Sequence, residues 1–264
     1  MTKLAIDHQL VERLVLQVAP LVQDVTGWEL GRVNSRAVPK ERAFEELILG
    51  RLRRFGIPAH DDAPRDIFDR LLEYFVEGNA LAAYLPWNEE LVVIRENVDD
   101  SNLDGLKLVI GHELAHRAQH FRHPDLFAQV DEVAHLIATA YFEDALQPNL
   151  EQLATTVLKI QPVMTLLESH AMYVQNILAS RYFPAARIES HFSLPVLLFR
   201  LFGELKTSQY TAGASAVAAA MASGDIDSLY QEPGRVFEPG DGHGGGPGGG
   251  PGGGSEGAKG ADHK

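Results

Sequence analysis

The chain has 264 residues, no cysteine and a formal net charge of -13 at pH 7. Its length allows one large domain or two small ones around a sizeable core, and the missing cysteine excludes disulfides and thiolate metal sites, so that any zinc must be held by histidine and carboxylate. The acidity argues against nucleic acid and against an anionic membrane surface as partners.

The N-terminus, Met1 to His8, lacks the basic stretch and apolar run of a leader peptide, and a cytoplasmic protein is expected. The most apolar segment, Leu194 to Phe202, contains Pro195 and Arg200 and is too short to span a bilayer. Over the first 80 residues the apolar positions repeat at helical spacing. Val11, Leu14, Val15, Val18, Leu21 and Val22 form one stripe, which Gly27 can end. Phe44, Leu47, Ile48, Leu52 and Phe55 form a second, from about Pro39 to Gly56. Ile67, Leu71, Tyr74 and Phe75 form a third, from Pro64 to about Glu77. Such stripes are the core-facing sides of packed helices.

The pattern then changes. Leu81 to Leu85 and Leu91 to Ile94 are short apolar runs around Pro86-Trp87-Asn88-Glu89, which reads as strand, turn and strand, the one convincing β signal in the chain. Ser101-Asn102-Leu103-Asp104 has capping-box spacing, with aspartate in the usual place of Glu or Gln. It starts a helix that runs until Pro124, which denies His123 helical geometry. Further helices are expected at roughly 127–146, 150–160, 162–182 and 193–205, with a small-residue stretch at 209–223, and Pro162 suits a helix first turn. From about Glu232 the chain carries more than half of its 24 glycines, in GGGP repeats, with almost no apolar residue. This reads as a flexible tail in which His243 and His263 are solvated.

His112-Glu113-Leu114-Ala115-His116 spells HExxH on the helix before Pro124. Two histidines four apart sit about 40° from each other around a helix, one turn up, so both imidazoles reach one metal ion. Glu113 falls in the same arc, from which its carboxylate can hold and deprotonate a water bound to that metal. The motif points to a zinc hydrolase and calls for a third protein ligand. Gln119 and Arg122 stand where a metzincin would carry glycine and histidine. His120 lies about 12 Å along the axis from His112, too far to share an ion with bonds of about 2 Å. The remaining common solution is a glutamate from a later helix, with Glu132, Glu143, Glu151 and Glu168 as candidates. Glu168 stands out because it follows an apolar run, Val163 to Leu167, and is flanked by the small residues Ser169 and Ala171. That setting suits close helix packing, where a charge must be paired or metal-bound. Glu132 is its main competitor.

Residues 80 to about 205 resemble a family of uncharacterised bacterial zincin-like metallopeptidases, some members of which are associated with deazaflavin cofactor biosynthesis. The likeness is carried by Leu85 to Asn97, Gly111 to Gln119 and Leu166 to Ala171. The family spacing is HExxH, about fifty residues, then a glutamate followed two positions later by histidine; here Glu168 and His170 stand at those places. The resemblance implies that His112, His116 and Glu168 bind zinc and that Glu113 is the general base. Two positions depart from the zincin pattern. Arg117 replaces the uncharged residue usual after the second histidine, and Met172 replaces an aspartate that orients a histidine near the metal. Gln175 and Asn176, within about 80° of Glu168 on the helix, are the candidates to substitute.

The fold expected is mainly α (α+β), a zincin-like helical domain with a small β-sheet or hairpin ahead of the HExxH helix. Residues 1–231 form it, with 1–80 as a helical N-terminal part and 81–231 carrying the metal site, followed by a disordered Gly/Pro-rich tail over 232–264. The expected activity is zinc-assisted hydrolysis of a peptide or protein substrate. His170, Tyr173 and Tyr141 are candidate donors to the oxyanion, although His170 points about 200° away from Glu168. The strand Leu91 to Ile94 either pairs with an extended peptide or is a buried scaffold strand. The rival readings are a non-catalytic zincin-like domain that binds a partner, and a structural zinc site closed by a fourth ligand such as His120 or His170. An intact Glu113 favours catalysis.

Overall fold

The computed structural model describes residues 6–57, 81–142, 150–187 and 207–237, and these are mainly helical with one small three-stranded sheet, as expected. Helix α1, His8–Thr26, starts on Asp7, whose carboxylate accepts from the Leu10 amide at 2.8 Å. It ends at Gly27, which takes the left-handed φ of 69° that closes a helix without a Cβ clash. Its buried face is the stripe of Val11, Leu14, Val15, Val18 and Val22.

A strand follows where only helical stripes are legible. Strand β1, Asn34–Val38, is short and polar and takes its conformation from its partner rather than from propensity. Arg36 anchors it, donating to Glu90 at 2.8 Å and also pairing with Glu46. Helix α2, Lys40–Phe44, a π-helical turn, Glu45–Leu49, and helix α3, Gly50–Arg54, then make up the second expected helical segment. The third, at 64–77, lies outside the described residues.

Strands β2, Ala82–Leu85, and β3, Glu90–Ile94, form the expected hairpin, and β1 adds to β3 in parallel, giving the order β1-β3-β2. Strand β3 is therefore central, with Leu91 and Val93 facing the main core and Val92 and Ile94 facing a second core with Leu47, Leu52 and Leu85. Burial on both faces is why it reads as an unbroken apolar run. Paired on both sides, it is a scaffold strand, and the strand bordering the motif helix is β2.

The motif lies on helix α4, Leu103–Arg122, which is buried nearly all round between α1, β2 and helix α6, Leu150–Arg181. Its N-cap is Asn102 rather than Ser101. The Asn102 side chain accepts from the Gly105 amide at 3.1 Å and donates to the Arg187 carbonyl at 2.9 Å, whereas Ser101 bonds Asp99. His123 ends the helix in a non-helical conformation, and helix α5, Pro124–Phe142, begins at the proline itself. Helix α6 is one element where two were expected, with Pro162 inside it. Leu158 just before the proline is 65 % exposed, while Ile160, Val163, Met164, Leu166 and Leu167 are buried. Their packing outweighs the one backbone bond, worth about 3 kcal/mol with its clash, that an interior proline removes.

Helix α7, Thr207–Ser223, crosses α6 closely at Gly213, where a Cβ would stand 2.4 Å from Ser169 Oγ. Helix α8, Ile226–Gln231, and a 3₁₀ turn, Pro233–Phe237, complete the described chain. Val236 is buried, so packed structure continues past Glu232, where the tail was expected to begin. The expected helix at 193–205 and residues 238–264 lie outside the described residues. No described helix is long and apolar enough to cross a membrane.

Candidate metal centre

Helix α4 presents His112 and His116 to Glu168 on α6, and all three are buried. The two Nε2 atoms are 3.2 Å apart. Glu168 Oε2 lies 3.5 Å from His112 Nε2, and Oε1 lies 3.3 Å from His116 Nε2. A tetrahedral ion with bonds of about 2.0–2.2 Å sets its donor atoms roughly 3.3–3.6 Å apart. With one atom from each residue, the three possible donors lie within 4.8 Å of one another, close enough for the group to hold a metal ion. Among the described residues it is the one such group. Without a metal the charges lean on each other. Burial alone would push Glu168 up, but the two imidazoles hold it well below the usual carboxylate range. Burial alone would push His116 down, but Glu168 raises it above its ordinary value.

Gln119, one turn beyond His116 and fully buried, orients that histidine. Its amide nitrogen donates to the Leu167 carbonyl at 2.8 Å, so its oxygen is the atom that faces His116 Nδ1, also at 2.8 Å. An oxygen there only accepts, so Nδ1 keeps its proton, and when His116 is neutral its Nε2 presents a lone pair toward His112 and Glu168. The same side chain thereby ties the motif helix to the residue preceding Glu168. This partner was expected from Gln175 or Asn176; instead Asn176 and Met172 are exposed, and the bond to His116 comes from the motif's own helix.

Glu113 is buried and accepts from the Tyr84 amide at 2.7 Å, which fixes its carboxylate against β2. Burial is the main cause of its raised pKa, only partly offset by the two histidines. A further chain of bonds runs beside it. Arg117 Nη1 donates to the Tyr84 hydroxyl at 3.1 Å, and that hydroxyl stands 2.8 Å from His120 Nδ1. Because a guanidinium only donates, the tyrosine proton goes to His120, whose own proton then sits on Nε2. Burial and the Arg117 charge both lower the His120 pKa, which favours this neutral form, and burial pushes Tyr84 up to about 12. Arg117, the departure after the second histidine, is thus a brace: 3 % exposed, it also bonds Glu89 at 3.3 Å.

Glu113, His116 and Glu168 open onto a cavity of about 470 Å³, which Tyr84, His120 and Glu132 also line. His170 is not in its lining. It is fully buried, 2.7 Å from the Tyr230 hydroxyl and edge-on to Trp28, and burial pushes its pKa down to about 3. It serves the core behind α4, where Tyr230 also stacks on His123 at 4.3 Å. Tyr173 packs against that core as well and does not line the cavity. Glu132 shares the cavity but not the triad. Glu143 and the side chains of Tyr141 and Glu151 lie outside the described residues. Tyr84, Gln119 and Tyr230 carried no signal in the sequence reading, although the spacing of Gln119 from His116, three residues on one helix, would have allowed its identification. Comparison with models of protein families, with characterised proteins and with solved structures finds no match for this chain.

Proposed function

We propose that this protein is a zinc-dependent hydrolase acting on peptide bonds, with His112, His116 and Glu168 as the metal ligands. The observation that carries the reading is the convergence of the three buried donors, within 4.8 Å of one another, beside a buried glutamate at the wall of a cavity. The set of two imidazoles and one carboxylate fits zinc, and a zinc ion there supplies Lewis acidity toward a carbonyl and toward water. Glu113 takes the proton of the attacking water and passes it to the leaving amine, a role its burial and raised basicity suit. The Tyr84 amide keeps that carboxylate from swinging away. His120 Nε2–H is the donor available to a substrate oxygen in the cavity, since Tyr84 already occupies Nδ1. A site closed by a fourth protein ligand is disfavoured, because neither His120 nor His170 belongs, among the described residues, to the group whose donor atoms could share one ion.

Metal analysis tests the ligand set. Wild-type protein should carry about one zinc per chain, and His112→Ala and Glu168→Ala should lose it. Undiminished zinc in Glu168→Ala would remove that residue from the site. Glu113→Gln should keep the metal and lose cleavage of any peptide found by library screening. A fully metallated wild type that cleaves nothing would favour the binding-domain reading.

A further inference from the structure

The cavity reaches beyond the triad. Its lining includes Arg51 in the first turn of α3 and Phe55 just past its end, Trp87 in the hairpin turn, and Asp131 and His135 on α5. Arg51 is 6 % exposed, and its guanidinium lies 5.0 Å from the Trp87 ring and 5.5 Å from that of Phe55. These rings hold a planar cation by its faces and leave its edges for hydrogen bonds. One edge is used: Nη2 donates to Asp131 at 3.0 Å. Nε is buried without a hydrogen-bond partner among the described residues, and Nη1 makes no hydrogen bond there either. A buried guanidinium with five donors and one carboxylate is short of acceptors. Burial outweighs Asp131 and lowers its pKa, as expected of a cation whose charge is under-compensated.

We propose that this end of the cavity is a carboxylate subsite, in which Arg51, held between Trp87 and Phe55, receives a carboxylate of the peptide whose scissile bond lies at the triad. The aromatic rings offer apolar walls to the residue bearing that carboxylate. Asp131 and Glu132 on the same wall repel a polyanion, so the subsite takes a single carboxylate, either the C-terminus or an acidic side chain. Calling the ligand a substrate rests on the hydrolase reading, but the subsite itself is measured by binding.

The test uses the full chain carrying Glu113→Gln, loaded with zinc so that probes survive, and titration calorimetry with three peptides. These are N-acetyl-tetraalanine as the acid, the same peptide as the amide, and N-acetyl-Ala-Ala-Asp-Ala amide. At least one carboxylate peptide should bind about tenfold or more tightly than the neutral amide, and Arg51→Gln should abolish the difference. Whichever peptide shows it identifies the source of the carboxylate. Asp131→Asn leaves the guanidinium its charge and removes its competitor, so it should widen the difference. Equal binding of all three peptides, or a preference that survives in Arg51→Gln, overturns the subsite. Should Arg51→Gln not fold, Asp131→Asn decides alone, and an unchanged or narrowed preference overturns the proposal. Protein without zinc or without activity that still prefers a carboxylate keeps the subsite and loses the hydrolase; an active enzyme with no preference does the reverse.

Discussion

Gln119 decides which nitrogen of His116 faces Glu168, and it does so with one amide bonded at both ends. Replacing it by leucine keeps the volume but removes the acceptor for Nδ1–H and leaves the Leu167 carbonyl without its donor. Zinc affinity of Gln119→Leu should fall about 10–100-fold, as is usual when a group orienting a ligand histidine is lost. Competition with a chromophoric chelator measures this, and an unchanged affinity would strip Gln119 of the role. At this scale the sequence was a good guide to the group that could hold a metal and a poor one to what supports it. HExxH has a rigid local geometry, and Glu168 betrays itself by a charge among apolar and small residues. Gln119 and Arg51 carry no such mark: one looks like a polar residue on a helix face, and the other sits within an ordinary amphipathic stripe. Their meaning comes from residues 48 and 80 positions away in the chain, Leu167 and Asp131. His170 illustrates the converse, for a position beside the ligand in sequence turns the side chain into the core.

The elements differ in the same way. The hairpin of β2 and β3 and the motif helix were legible because periodicity and turn residues are local, whereas β1 exists only through β3 and its arginine anchor. Pro162 misled for a related reason: the local cost of a proline is fixed, but the packing that overrides it is tertiary. Close packing also makes two glycines respond oppositely to the same change. At Gly111, directly before His112, a Cβ would stand 2.4 Å from Cδ1 of Leu178, which is fully buried and has no room to turn. Alanine there gains up to about 1 kcal/mol of helix propensity and costs about 1–3 kcal/mol in overpacking, so Gly111→Ala should lower the Tm. At Gly50 the nearest atom to a new Cβ is 3.7 Å away, and Gly50→Ala should raise it. Thermal unfolding of the two variants, measured by circular dichroism, should give shifts of opposite sign.

For the molecule as a whole, the triad joins two of the longest described helices, so a metal bound there would act on global stability. Free zinc at about a hundred times its Kd should add about 2.7 kcal/mol. The size of that effect depends on pH through the groups the ion displaces. In the metal-free protein the depressed pKa of Glu168 contributes stability that is full above 4.5 and lost as the pH falls. The raised pKa of His116 contributes stability that is full below 6.5 and lost as the pH climbs through the raised value. The metal-free protein gains most from the pair between those limits, while zinc needs His116 deprotonated. The rise in Tm on adding zinc should therefore be larger at about pH 8.5 than at about pH 6, as calorimetry with and without chelator would show. The parallel pairing of β1 with β3 has a consequence of another kind. Parallel neighbours cannot share a tight turn, so the chain passes through α2, α3 and β2 before β3 completes the sheet; α3 and the residue after it supply Arg51 and Phe55 to the cavity, whereas α4 and α6 supply the triad. The triad and the Arg51 end of the cavity thus belong to separable stretches of one chain, and grafting a different connection between β1 and β2 would rebuild one end of the cavity and leave the triad where it is.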